Sequence, residues 1–172
     1  TGFPYHGNVK LEMGNIIYGT PDVNHFELML RIPGWAVSQP VDSDLYTYIS
    51  PKKHKIDIKV NGKTVKYKVV NGYAQIDRQW QKGDVVELQF PMDVHQVKSH
   101  PMVTSNHGLL SYERGPLVYC AEECDNNTSL DAIYIPQGAK FSLKTGLNDL
   151  FDGGVTQIIA NGVKGVRSGS KS

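Results

Sequence analysis

The sequence has 172 residues, of which 40% are hydrophobic, and its 18 basic residues nearly balance its 17 acidic ones. That length and apolar content allow one full domain or two small ones with real cores. Because the basic residues are scattered instead of forming a stripe, nucleic acid is not expected as a partner. No apolar run approaches the roughly 18 residues that a membrane span needs, so no membrane partner is expected either.

The two ends of the sequence indicate a piece of a longer protein. Thr1 begins polar and aromatic sequence without a Met, and residues 167–172 are small and polar. We therefore expect a flexible tail over residues 167–172. A bacterial parent is expected, and its compartment stays open between cytoplasm, periplasm and the exterior.

Strands dominate the first half of the chain. Val9, Leu11 and Met13 alternate with polar residues, and residues 26–32 alternate in the same way, as half-buried strands do. Asn61-Gly62 is the favoured pair for a two-residue hairpin turn. That turn predicts an apolar face and a charged face, with these opposing pairs: Val60 with Lys63, Ile58 with Val65, Ile56 with Tyr67, and Asp57 with Lys66.

The remaining pattern is also of short strands separated by turns. Strands are predicted at residues 73–77 and 85–90, and a polar connector at residues 96–108. Further strands are predicted at residues 109–112, 117–122, 132–136, 139–143 and 155–160, and the strand at 155–160 is the last. One helical turn is predicted near residues 147–154. The fold class is therefore all-β, an antiparallel β-sandwich, with one complete sandwich and part of a second. The predicted domains are residues 1–100 and 101–166, and the second need not be complete.

Both cysteines lie behind a Gly-Pro pair. In a continuous strand, Cys120 and Cys124 would lie about 13 Å apart, too far for a disulfide. No histidine spacing around them completes the four ligands of a zinc site. They are interpreted as buried structural thiols, and a small thiol or metal enzyme is the alternative.

Acids cluster in the same stretch. Glu113, Glu122, Glu123 and Asp125 are close in sequence, and two facing carboxylates can cleave a glycosidic bond. The ordinary interpretation is that they are solvated at a turn, since Asp125-Asn126-Asn127 is typical turn sequence. No catalytic residue is assigned on this basis.

Aromatic residues provide the candidate ligand contacts. Trp35 follows a predicted strand end, and Tyr46 and Tyr48 lie close by. Rings at such positions can stack on a sugar, although large aromatics also close a sandwich core. Trp35, Tyr46 and Tyr48 are the candidate carbohydrate-binding residues, and Trp80 is assigned to the core. A stand-alone carbohydrate-binding module is thus an alternative function.

Several motifs together resemble a known family. They occur in order over most of the chain, as "LRIPGWA" (30–36), "VNGK" (60–63), "GYAQIDRQWQKGDVVELQFPM" (72–92), "RGPLVYCAEECDN" (114–126) and "LNDLFDGGV" (147–155). This set is similar to the C-terminal part of glycoside hydrolase family 127, the β-L-arabinofuranosidase family. "RGPLVYC" followed by "DN" is its most specific piece.

The resemblance implies a non-catalytic role. Members of the family carry catalysis in a helical (α/α) barrel that precedes this region, with a zinc-held cysteine nucleophile and a glutamate acid/base. No catalytic or metal-binding residue of that barrel matches a position here, so no cofactor is expected in this chain and zinc only in the absent barrel. The expected partners are the barrel, a second copy of the chain, and carbohydrate. The expected parent hydrolyses β-L-arabinofuranosyl or related plant-glycan linkages.

Overall fold

The structure is a computed structural model that describes residues 2–15, 24–136, 138–146 and 155–165. The chain divides into two compact units, Thr1–Leu117 and Val118–Ser172. Almost all regular structure in the described ranges is β, and every pairing between strands there is antiparallel, which confirms the predicted fold class.

Ten strands lie within the first unit, among its described residues. They are β1 (Asn8–Glu12), β2 (His25–Arg31), β3 (Tyr46–Tyr48), β4 (Asp57–Val60), β5 (Lys63–Thr64), β6 (Lys68–Val70), β7 (Tyr73–Gln79), β8 (Val85–Gln89), β9 (Val94–Ser99) and β10 (Leu110–Arg114). β11 (Leu117–Tyr119) begins at the last residue of this unit. One sheet has the order β1-β8-β4-β5, a second has the order β2-β7-β6, and a third contains β10-β9-β3.

The core of the first unit is formed by the facing sides of the first two sheets. Its largest fully buried side chains are Trp80, Ile58 and Val86, each 0% exposed. The indole of Trp80 also donates a hydrogen bond to the Phe26 carbonyl at 3.0 Å, so its polar edge is satisfied inside the core. Full burial of a side chain of this kind contributes roughly 1.5–3 kcal/mol. The assignment of Trp80 to the core is confirmed.

The Asn61-Gly62 turn fixes the hairpin as predicted. Both residues have positive φ, 51° and 76°, and Val60 is opposite Lys63. The Val65 N–H bonds to the Ile58 carbonyl at 3.0 Å. The paired ladder ends at Thr64, so the Asp57 carboxylate contacts Thr64 at 3.3 Å and Lys59 at 3.7 Å instead of the predicted Lys66.

The predicted polar connector at residues 96–108 is wrong in its first part. β9 continues to Ser99, and only beyond it does the chain turn, with a 3-10 helix at Thr104–Asn106. Within β9, His95 and Val97 are buried, whereas Lys98 is exposed. The alternation was therefore present, but a histidine stands at one of its inward positions and hid it.

The described part of the second unit consists of two short helical segments and two strand pairs. It contains α1 (Glu123–Asn126), a 3-10 helix at Leu130–Ala132, β12 (Ile133–Tyr134), β13 (Phe141–Gly146), β14 (Val155–Ala160) and β15 (Val163–Lys164). β13 pairs with β14, and β12 with β15. The strand predicted at residues 155–160 is confirmed, but β15 follows it.

Two predictions in the second unit concern residues outside the described ranges. These are the helical turn near residues 147–154 and the flexible tail at 167–172. The division into domains at residues 1–100 and 101–166 stays a prediction. Within the described part of the chain, no helix is long and apolar enough to cross a membrane.

Candidate functional site

Trp35 belongs to an aromatic cluster at one end of the first unit. It lies in the 3-10 helix Gly34–Val37, which follows Pro33. Its ring stacks with Phe3 at a centroid distance of 6.5 Å and meets Phe90 edge-on at 5.5 Å. Trp35 is half-buried against the core, whereas Phe3 and Tyr5 are 43% and 45% exposed. The exposed aromatic surface here therefore comes from Phe3 and Tyr5 as much as from Trp35.

The glycine of the "RGP" motif lies directly beside this cluster. Gly115 has φ +60°, and a Cβ at this position would lie 2.6 Å from the Met92 sulfur and 3.8 Å from the Trp35 ring. Glycine adopts this backbone conformation without strain, whereas a side chain here would also have to push the end of Met92 aside. The motif that marks the family resemblance thus has a packing reason, and it places Arg114 beside the aromatic cluster.

Tyr48 is covered on its ring face and bonded at its hydroxyl. It is 5% exposed, it stacks on His95 at 4.2 Å, and its hydroxyl donates to a Glu113 carboxylate oxygen at 3.0 Å. Burial, followed by the Glu113 charge and hydrogen bond, raises the pKa of Tyr48 well above its usual range. Tyr46 is half-buried, and its hydroxyl accepts from the Asn106 amide at 3.3 Å.

The three candidate sugar contacts therefore lie in different settings. Trp35 stacks with an exposed ring in the aromatic cluster, Tyr46 is half-buried, and Tyr48 is enclosed by its neighbours. Carbohydrate binding by Trp35, Tyr46 and Tyr48 stays a prediction.

A charged group surrounds Asp93. Its carboxylate lies 3.0 Å from Lys52 Nζ and 2.9 Å from His54 Nε2. Burial alone would raise the pKa of Asp93, but Lys52 and His54 outweigh that and hold it below its ordinary value. Burial also lowers the pKa of His95, which favours the neutral imidazole beside Tyr48. Sequence reasoning missed this group, because its members come from separate segments with no shared motif.

The acids and thiols behind "RGP" do not form the predicted strand. β11 ends at Tyr119, and α1 begins at Glu123. Cys120 and Cys124 are both exposed, so their interpretation as buried structural thiols is wrong. Val118, within the strand predicted at residues 117–122, is likewise 70% exposed. The polar run after Tyr119 favours a turn and a short helix over a strand.

Among the described residues, Glu122, Cys124 and Asp125 form a group whose ligand atoms lie within 4.8 Å of one another. All three are exposed, and the group has one ligand fewer than the four of a structural zinc site. The Cys124 thiol lies 3.6 Å from the Glu122 carboxylate, and Glu123 accepts a hydrogen bond from the Leu130 N–H at 3.1 Å. These contacts tie the acids to the local turn.

An open depression of about 320 Å³ lies at the edge of the first unit. Its lining is largely aliphatic, with two basic residues, and includes Ile32, Val37, Ile56 and Val69 together with His54 and Lys55. Among the described residues, none that lines it carries a carboxylate, so that lining does not provide the pair of acids that glycoside cleavage uses.

Comparison with known proteins identifies the family. Residues 1–92 match the sequence model of the beta-L-arabinofuranosidase GH127 middle domain, and residues 94–158 match that of the glycoside hydrolase family 127 C-terminal domain. The chain belongs to glycoside hydrolase family 127. The boundary between the two family 127 domains falls at Asp93, the residue that Lys52 and His54 hold in the first unit.

Relatives within family 127 agree in sequence and in structure. A non-reducing end beta-L-arabinofuranosidase of Bifidobacterium longum is 31% identical over 128 residues, which are 73% of this chain and 16% of that protein. A solved GH127 beta-arabinofuranosidase is 38% identical, with a TM-score of 0.83 over 94% of this chain and 24% of its own. The GH127 beta-L-arabinofuranosidase of Geobacillus stearothermophilus T6 is 35% identical, with a TM-score of 0.73 over 93% of this chain and 22% of its own. The chain thus spans a quarter or less of each of these three relatives.

Proposed function

We propose that this chain is a non-catalytic β-sandwich region of a family 127 glycoside hydrolase, which supports the catalytic part of its parent or joins two subunits. The observation that carries the proposal is the pair of matches to the middle and C-terminal domains of the family, over residues 1–92 and 94–158. The parent hydrolyses β-L-arabinofuranosyl or related plant-glycan linkages, as the names of the relatives suggest. Zinc belongs to the catalytic part and not to this chain.

The surface of the first unit supports a packing role. The exposed apolar side chains include Phe3, Tyr5, Val37 and Val69, at 43%, 45%, 45% and 56% exposure. Exposed apolar side chains of this size are positions that a protein partner can cover. In the parent, the catalytic part or a second subunit covers part of this surface.

Hydrogen exchange tests the packing role. Exchange of backbone amides is measured for the 172-residue chain and for the full-length parent under the same conditions. We expect a contiguous set of peptides from this region to exchange more slowly in the parent, because a packed partner stabilises the strands beneath it. Identical exchange throughout the region, in a parent shown to be active, would contradict the proposal.

Sugar binding is tested separately. The chain is titrated with arabinose-containing oligosaccharides, and the Trp35→Ala variant is titrated beside it. Saturable binding that is lost in Trp35→Ala, while circular dichroism shows the fold intact, would favour a carbohydrate-binding module. The packing role predicts no saturable binding by either protein.

A further inference from the structure

Arg114 is a charged side chain in an unusual position. It is only 8% exposed, and it ends β10 just before the Gly115-Pro116 turn. One guanidinium nitrogen, Nη1, donates to the Tyr5 backbone carbonyl at 3.0 Å. Among the described residues, no carboxylate lies within salt-bridge distance of Arg114.

The guanidinium of Arg114 also has an unused donor. Its Nε is buried and has no hydrogen-bond acceptor in the described part of the chain. A buried charge is costly unless it is paired and hydrogen-bonded, and a buried donor without an acceptor costs about 1–3 kcal/mol. A single neutral carbonyl therefore leaves Arg114 incompletely satisfied. A carboxylate would supply both the missing charge and acceptors for the planar fork of donors.

Arg31 is satisfied differently from Arg114. Its Nη1 donates to two carbonyls, Ile32 O and Gly72 O, each at 2.8 Å, and its guanidinium also lies 5.4 Å from the centre of the Tyr73 ring. Arg31 is exposed, so water can reach it. Arg114 is more deeply buried than Arg31 and has fewer hydrogen-bond acceptors. Of the two arginines, Arg114 is therefore the one whose charge an external anion would satisfy.

The neighbours of Arg114 favour a protein surface as the source of that anion. Tyr5, which bonds to Arg114, is 45% exposed, and Phe3 beside it is 43% exposed and stacks on Trp35. A buried guanidinium flanked by exposed aromatic rings has the composition of an interface anchor, since aromatic residues and arginine dominate such contacts. The rest of the parent is large, because this chain covers only 16–24% of the three relatives compared.

We propose that Arg114, flanked by Phe3 and Tyr5, is an anchor point that takes an Asp or Glu carboxylate from the rest of the parent protein. The inference rests on the proposed packing role and gives it a specific contact. The carboxylate bonds to the guanidinium donors that Tyr5 leaves unused, and the two exposed rings pack around it.

Zero-length cross-linking in the full-length parent tests the contact. Arg114→Lys places an amine at this position, and a carbodiimide then joins that amine to any carboxylate in direct contact. Mass spectrometry is expected to find an amide bond from the introduced amine to an Asp or Glu outside this chain. Lys52, which lies 3.0 Å from Asp93, is the internal positive control. Arg31→Lys is the matched control and is expected to give no such bond.

The proposal would be overturned if the Lys52–Asp93 link is found but the introduced amine gives no link, or gives links only to carboxylates inside this chain. Oxidative footprinting of the wild-type parent covers the case in which Arg114→Lys does not fold. Oxidation of Phe3 and Tyr5 is expected to fall several-fold in the parent relative to the chain alone, and unchanged oxidation would overturn the anchor. Protection elsewhere in this region, without protection of Phe3 and Tyr5, would refute the anchor and leave the packing role standing.

Discussion

The two units of the chain differ sharply in how much they bury. In the first unit, buried hydrophobic side chains extend from Leu30 to Val97, and several of them are completely enclosed. In the second unit, Thr156 is the only buried side chain among the described residues. Regular strand pairing is present in both, so pairing alone does not make a core. The first unit gains its burial from two sheets that face each other, as a sandwich requires.

The largest expected effect lies in the core of the first unit. Trp80→Ala removes a 0% exposed ring and its bond to the Phe26 carbonyl. We expect it to lower the free energy of unfolding by about 3–5 kcal/mol. Tyr134→Ala, at a 63% exposed ring in the second unit, is the matched control and is expected to stay within about 0.5 kcal/mol. Urea denaturation measures both, and equal effects would break the contrast between the units.

A smaller effect is expected at Asp84, which closes the turn before β8. Its carboxylate accepts from the Asn61 amide at 2.7 Å and from the Gln81 N–H at 2.9 Å. Asp84→Ala leaves both donors without this acceptor and should cost about 1–3 kcal/mol. The Asn61 bond, then the Gln81 bond, lower the pKa of Asp84 despite burial. This stabilisation is therefore full above the ordinary carboxyl pKa and is lost as the pH falls through the lower folded value.

The measurement for Asp84 is urea denaturation across the acidic range. Asp84→Ala is expected to flatten the loss of stability on acidification relative to the wild type. An unchanged acid profile in Asp84→Ala would show that the carboxylate does not contribute to it.

His95 also makes stability fall on acidification, here because burial disfavours its protonated form. Because burial lowers its pKa in the folded state, the unfolded chain binds the proton more readily. Stability is therefore full above the ordinary histidine pKa, near 6.5, and decreases as the pH falls below it. His95→Gln is expected to reduce this decrease, as measured by urea denaturation between neutral and mildly acidic pH. A decrease that persists unchanged in His95→Gln would assign it to another group.

The smallest effect is expected at the thiols of the second unit. Cys120 and Cys124 are exposed, so both should react with a thiol reagent in the native protein about as fast as in urea. Cys124→Ser should change the free energy of unfolding by no more than about 0.5 kcal/mol. Reaction only after unfolding would show that the second unit buries these thiols after all, and the contrast between the units would weaken.

Local chemistry in the sequence predicted those parts of the fold that depend on near neighbours. The Asn61-Gly62 hairpin follows from two residues that tolerate positive φ, and its register follows from alternation in β4. The exposure of Cys120 was not predictable in this way. Alternation says which residues share a face, but only a second packed layer decides whether that face is covered.

The candidate sites show the same limit. Trp35 was found because it follows a strand end, but its stacking partner Phe3 lies 32 positions earlier in the sequence. Arg114 bonds to Tyr5 across a separation of 109 residues, and its unsatisfied Nε is a property of the packed surroundings. A sequence pattern cannot reveal a missing acceptor, since that requires the positions of all nearby groups.

The non-catalytic role is tested most directly by activity. The purified 172-residue chain and its full-length parent are assayed side by side on a β-L-arabinofuranoside, with release of arabinose as the readout. We predict release by the parent and none above the buffer rate by the chain at equal molar concentration. Arabinose-releasing activity that stays with the chain through successive purification columns would contradict the role proposed for the chain.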